Sequence, residues 1–182
     1  MKDRNECWNL VNMHLKTPYL VKHVLATEAC MQSLAERLGE DKNIWGITGL
    51  VHDMDLDIVE ADPARHGKVG AEILQKEGFD QAIVNAVLAH AGHKDPETKL
   101  EIALCAVDPT TGFIVAATLI RPDKKIGGVE VQNILKRMKE KRFAAGVSRE
   151  QMKTAEKLGI NFEEFLEICL SAMKGISEEL GL

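Results

Sequence analysis

The sequence predicts an all-α protein, and three observations carry that prediction. Aromatic residues make up only 4% of the chain, while Ala, Leu, Ile, Val, Glu and Lys dominate, a composition that favours helices over a sandwich or barrel. Apolar residues recur at three- and four-residue spacing, most clearly over Leu20, Val24, Thr27, Cys30, Met31 and Leu34, which is the stripe of an amphipathic helix. The periodic stretches are bounded by helix signals such as Thr17-Pro18 at one end and Gly39 at the other. With 182 residues, the chain can bury a full core without staples and is expected to form one domain, 1–182.

Taken in order, Asp3 or Asn5 can cap a first helix carrying Trp8, Leu10, Val11 and Leu15. A second helix runs from Tyr19 to about Leu38 and places His23 on its buried stripe. Ile44 to Met54 is apolar on most sides and so central; its last turn delivers His52 and Asp53. The acidic stretch Asp55, Asp57, Glu60, Asp62 and Pro63 reads as a loop. Arg65-His66-Gly67 opens a helix from Lys68 to Lys76, and Asp80 caps another from Gln81 to Ala91, with His90 in its final turn and His93 just beyond Gly92. Thr98 to Val107 and Thr111 to Ile120 are apolar runs separated by Asp108-Pro109. Proline lacks a backbone donor, so a kink or break is expected there. Ser148-Arg149-Glu150-Gln151 and Asn161-Phe162-Glu163-Glu164 start two later helices.

Composition narrows the classes of function. A net charge of −5 is not the footprint of a nucleic-acid binder. The cysteines Cys7, Cys30, Cys105 and Cys169 lie far apart in apolar contexts and read as buried, reduced thiols. The N-terminal residues lack the apolar segment of a signal peptide, and no apolar run is expected to approach membrane length. The cytoplasm is the expected location. Residues 121–157 hold eleven Lys or Arg against five acids. Their cluster Lys136, Arg137, Lys139, Lys141 and Arg142 reads as a solvated helix face, with contact to an anionic partner as a second reading.

The segment Gly49-Leu50-Val51-His52-Asp53-Met54-Asp55 stands apart. A buried apolar run normally excludes an unpaired imidazole or carboxylate, because each loses its hydration there. A metal ion is one reason to place them together, since both can ligate it. His23 upstream and His66, His90, His93 and Asp108 downstream extend the set, leaving only His14 outside it. Packing is the alternative for a lone histidine on an apolar face. Helix neighbours point about 100° apart, so His52 and Asp53 can share one metal only at a helix end or cleft, unless the acid bridges two.

His, then His-Asp, then Asp, spread over helices in this order, resembles the HD superfamily of metal-dependent phosphohydrolases. The resemblance covers His23 to about Ile120, and His66-Gly67-Lys68-Val69-Gly70-Ala71-Glu72 resembles the helix after the family's apolar-HD segment. It implies a compact multi-helix bundle with the site in its centre, an HD core over about 17–121 and a helical extension over about 122–182. It further implies that His23, His52, Asp53 and Asp108 hold one divalent metal, and that Asp53 bridges to a second held by His66, His90 and, as a candidate, His93. His66 and His90 mark the two-metal subset. Iron, manganese, cobalt, nickel and zinc all suit such ligands. His52 and Asp53 are the expected catalytic pair. Two positions depart from the family pattern: Ala91 stands where many dinuclear members carry a second histidine, and Pro109 follows Asp108.

The expected activity is hydrolysis of a phosphoester, of a nucleotide or another small phosphorylated molecule, by metal-activated hydroxide. Lys68, Arg121 and Lys124 are candidate phosphate contacts from charge and position. The alternatives are a di-iron oxygenase on the same ligands and a non-catalytic nucleotide-binding or regulatory module. A membrane partner is not expected, and the sequence leaves the oligomeric state open.

Overall fold

The computed structural model describes residues 2–182. They form ten α-helices: α1 (Arg4–His14), α2 (Pro18–Leu38), α3 (Lys42–Val51), α4 (Lys68–Lys76), α5 (Gln81–His90), α6 (Lys99–Leu119), α7 (Val131–Met138), α8 (Arg149–Lys153), α9 (Phe162–Gly175) and α10 (Ser177–Leu180). No strand occurs among the described residues.

Local chemistry sets most of the boundaries. Asp3 and Glu6 form a reciprocal capping box on α1, and Thr98 and Glu101 form another on α6. Gly39 and Gly92 take positive φ (70° and 78°) at the ends of α2 and α5, where an L side chain would be strained. Thr17 does not cap α2 in the usual way. Its hydroxyl donates instead to Asp57 at 2.7 Å, and Asp57 also accepts the backbone N–H groups of Lys16 and Thr17. The acidic loop is thereby tied to the start of α2.

The apolar interior falls into two clusters. Leu10, Val11, Leu50, Leu74 and Val84 join α1, α3, α4 and α5 on one side. Leu34, Leu104, Phe113, Ile134, Met152 and Phe165 join α2, α6 and the C-terminal helices on the other. Helix α2 contributes to both, with Val24 in the first and Cys30 in the second. It crosses α3 closely. A Cβ at Gly49 would lie 2.8 Å from the Thr27 carbonyl oxygen and 2.9 Å from the Glu28 amide, so only glycine lets the two backbones meet. Arg4 and Glu28 pair through two contacts, at 2.5 and 2.7 Å, and pin α1 to α2.

Three expectations need correction. Helix α3 ends at Val51, so His52 is its C-cap and Asp53 lies beyond it. Helix α6 continues through Pro109 without a break. The proline costs one helical bond, but Ala106, Val107, Phe113 and Ile114 around it are fully buried, and this packing outweighs the loss. Finally, α6 has 21 residues and is apolar enough to cross a membrane by length and composition, against the reading that no run approaches that length. It is the central helix of the bundle, packed against α2, α5 and the C-terminal helices.

Candidate metal centre

Five segments deliver the side chains singled out above. His23 comes from the second turn of α2, His52 from the C-cap of α3 and Asp53 from just beyond it, His90 from the last turn of α5 and Asp108 from the middle of α6. His66 comes from the turn before α4. The structure brings all six together. His23, His52, Asp53 and Asp108 form one group of mutually close donor atoms, and Asp53, His66 and His90 form a second.

Asp53 belongs to both groups through different oxygens. Its Oδ2 lies 3.2 Å from His23 Nε2 and 3.3 Å from His52 Nε2. Its Oδ1 lies 3.2 Å from His90 Nε2 and 3.4 Å from His66 Nε2. Asp108 Oδ1 completes the first group, 3.1 Å from His23 Nε2.

The outward nitrogens show how the rings are held. His52 Nδ1 donates to the Gly49 carbonyl at 2.7 Å, and His66 Nδ1 donates to Asp55 at 2.8 Å. His23 Nδ1 lies 3.1 Å from the Thr111 hydroxyl, which itself donates to the Asp108 carbonyl at 2.9 Å. The hydroxyl proton is thus used, and His23 must be the donor to that oxygen. In all three rings Nδ1 carries a proton, so Nε2 is the nitrogen turned toward the carboxylates, where it can ligate a cation or, without one, hold a second proton.

This donor set fits metal ions. Nε2 atoms only 3.2 Å apart occur in the pairs His23–His52 and His66–His90. Lone pairs at that distance repel unless a cation or proton lies between them. Ligands about 2.1 Å from an ion at angles of about 90–110° stand about 3.0–3.4 Å apart, which matches the separations given above, while His52 Nε2 and Asp108 Oδ1 stand wider at 3.9 Å. His90 Nδ1 is buried without a hydrogen-bond partner.

The electrostatics of the protein alone point the same way. Burial works to lower the His23 pKa, yet its bonds to Asp108 and Asp53 outweigh burial and push it up to about 9. Burial likewise opposes charge on His52, but the Asp53 and Asp108 carboxylates raise it to about 10. Burial would raise Asp53 and Asp108, and the neighbouring histidines instead hold both well below the usual carboxylate range. The cluster is a place where positive charge is stabilised.

Two further residues complete it, and neither was singled out from the sequence. Asp55 is fully buried and accepts from the Gly67 and Gly70 amides, both at 2.8 Å, as well as from His66. Gly70 makes room for it, since a Cβ there would lie 3.3 Å from the Asp55 carboxylate. The signal available in the sequence was an acid two residues after the His-Asp pair, followed by glycines on either side of Lys68-Val69. Thr111, three residues after Asp108, carried no such signal.

The remaining candidates lie elsewhere. His93 belongs to neither donor group, because its Nε2 donates to the His66 carbonyl at 2.8 Å. It braces the His66 turn from behind. Ala91 is small because α5 meets that turn closely: a Cβ on Gly67 would fall 2.3 Å from the Ala91 methyl. The Arg121 guanidinium is taken by Asp123, at 3.0 Å to each oxygen, and by the Gly128 carbonyl at 2.7 Å. Lys68 and Lys124 are exposed and do not line the cavity that reaches the cluster. The lysine that does line it is Lys22.

A helical bundle that converges four histidines and two aspartates, with one carboxylate shared between two donor groups, has a donor set that could hold metal ions. Comparison with known proteins makes this specific. The HD domain family model matches residues 20–111, half of the chain, and the chain belongs to that family. Among curated relatives, the chain is 31% identical over 86 residues to ribonuclease Y of Aliarcobacter butzleri, and 28% identical over 86 residues to ribonuclease Y of Sulfurovum sp.. Each match covers 47% of this chain and 17% of the relative. It is also 30% identical over 90 residues to the tRNA (cytidine(56)-2'-O)-methyltransferase of Thermoplasma volcanium, covering 50% of this chain and 26% of that protein. The chain thus spans about a quarter or less of these relatives' length. No solved structure matches it.

Proposed function

We propose that the protein is a phosphohydrolase that acts with two divalent transition metal ions, in the cytoplasm, on the phosphoester of a small molecule. The observation that carries this reading is the division of Asp53, with one carboxylate oxygen in each donor group. A carboxylate so placed would serve two cations at once. His23, His52 and Asp108 complete the first set, and His66 and His90 complete the second.

When bound, the two ions would lower the pKa of a shared water and stabilise charge on the phosphoryl group. The protein's own residues supply the setting. The Nδ1–H bonds of His23, His52 and His66 fix their rings, so that their lone pairs need no reorganisation. Only Asp53 and Asp108 bring negative charge, so the loaded centre keeps an excess of positive charge that suits an anionic ester. His52 and Asp53 are buried, while the Asp108 side chain is about a third exposed; substrate and water reach the cluster from the α2–α6 side. In the reaction, a water oxygen bonds to phosphorus, the bond from phosphorus to the alcohol oxygen breaks, and the alcohol leaves with a proton from that water. No oxidant is needed. The ribonuclease name of several relatives supports phosphoester chemistry.

The test is metal content together with hydrolysis of bis(p-nitrophenyl) phosphate after loading with manganese or iron. About two ions per chain and turnover are expected, with both lost in Asp53→Ala while the helical circular dichroism signal persists. Full turnover by Asp53→Ala would sink the assignment.

A further inference from the structure

Between α2 and α6 a cavity of about 530 Å³ opens beside the histidine–aspartate cluster, within the range of about 300–1,000 Å³ usual for small-ligand sites. Its inner end is formed by His23, Asp53 and Thr111. Away from that end the walls are almost wholly apolar. Ala26 and Leu20 come from α2, Val115 and Leu119 from α6, and Leu180 from α10. Thr111 offers nothing new to a ligand, because its hydroxyl already serves His23 and the Asp108 carbonyl. Lys22 and the Tyr19 hydroxyl are the polar side-chain groups left among the lining residues outside the cluster.

The sequence builds this space. Asp108, Gly112, Val115 and Leu119 follow one another at four-, three- and four-residue steps, so they form a single stripe of α6 leading away from the acid. A glycine inside a helix is less favourable than an alanine there. At Gly46, Gly49, Gly67 and Gly70 a neighbour would meet an added Cβ, but at Gly112 nothing lies within 4 Å. Packing therefore does not require that glycine. Ala26 plays the same part on α2.

We propose that this cavity receives the alcohol part of the substrate, and that the phosphoester hydrolysed here is that of an apolar alkyl or aryl alcohol rather than a nucleotide. The inference rests on the phosphohydrolase reading and narrows its substrate. A nucleoside would bring several sugar hydroxyls and a base edge against walls whose polar side-chain groups outside the cluster are Lys22 and the Tyr19 hydroxyl alone, and each polar group left buried and unpaired costs about 5- to 150-fold in affinity. An alkyl chain meets surface of its own kind, and each buried methylene is worth about a fourfold gain in affinity.

The experiment is calorimetric titration of manganese-loaded protein with methyl-, butyl- and octylphosphonate and with the non-hydrolysable phosphonate analogue of adenosine monophosphate. These phosphonates are not turned over, so the readout is binding alone. Octylphosphonate is expected to bind at least 100-fold more tightly than methylphosphonate and more tightly than the nucleotide, and this gain should require metal. Gly112→Leu, which places a side chain in the cavity, should reduce the chain-length gain to less than tenfold, with helix content and metal content checked alongside. Equal affinity for methyl- and octylphosphonate, tighter binding of the nucleotide, or an undiminished gain in folded Gly112→Leu would overturn the proposal while leaving the hydrolase reading in place. Failure of the wild-type protein to take up metal would bring down that reading, and this inference with it.

Discussion

Asp55 holds His66 from behind: its Oδ1 accepts the His66 Nδ1 proton at 2.8 Å, while the opposite nitrogen of the same ring lies 3.4 Å from Asp53. Two acids from one short segment thus act on two sides of one imidazole. Burial would raise the Asp55 pKa, but the His66 bond and the Gly70 and Gly67 amides outweigh it and hold the carboxyl low. A charged oxygen behind the ring makes the facing nitrogen a better donor to a cation.

Replacing Asp55 by asparagine tests this arrangement. An amide NH₂ group cannot accept from the glycine amides, so the turn loosens and His66 loses its orientation. Affinity for the second metal is expected to fall about 10- to 100-fold. Competition with a chelator of known affinity measures it, and unchanged affinity would refute the role given to Asp55.

The two donor groups should be separable. His66→Ala removes a donor from the second group only, and Asp108→Ala removes one from the first. Each variant is expected to retain close to one ion per chain by elemental analysis, against about two for the wild type. A variant that kept both ions would show that its residue is not needed as a ligand.

Gly49→Ala probes the crossing of α2 and α3. The added methyl would press on the Thr27 carbonyl and the Glu28 amide, and both are backbone groups that cannot turn aside. A loss of about 1–3 kcal/mol is expected from overpacking, read as a lower urea midpoint. Metal affinity should fall as well, because this crossing sets His23 beside His52.

Stability of the metal-free protein should depend on pH with a defined sign. His23 and His52 are raised to about 9 and about 10 in the folded state, above the ordinary histidine value of about 6.5. The folded protein therefore holds more protons than the unfolded chain between about pH 6.5 and 10. This contribution to stability is fully present below about pH 6.5 and is lost as pH rises through 9 and 10. Metal-loaded protein should show the opposite trend at the acid end, since protons compete for the same nitrogens. Urea unfolding at pH 6, 8 and 10, with and without chelator, checks both. A midpoint for the metal-free protein that does not fall over this range would refute the coupling.

The sequence by itself determined the helical class and most helix limits, because caps, proline at a first turn and three-four spacing act over a few residues. Asp3, Gly39 and Gly92 do in the structure what their chemistry predicts. The six residues of the cluster could be singled out as well, since imidazoles and acids set within apolar helices need partners. What only the tertiary structure decided is how they meet. The sharing of Asp53 between two groups, the support from Asp55 and Thr111, and the turning of His93 toward a backbone carbonyl depend on contacts between residues as much as 88 positions apart. The same holds for the candidate phosphate contacts, where Arg121 was closed off by Asp123 and Gly128 and Lys22 took the place beside the cavity. Pro109 shows the limit most plainly: its local rule calls for a break, and burial of the turns around it keeps α6 whole. Local signals reach about one helical turn, whereas the site is set by the packing of helices far apart in the chain.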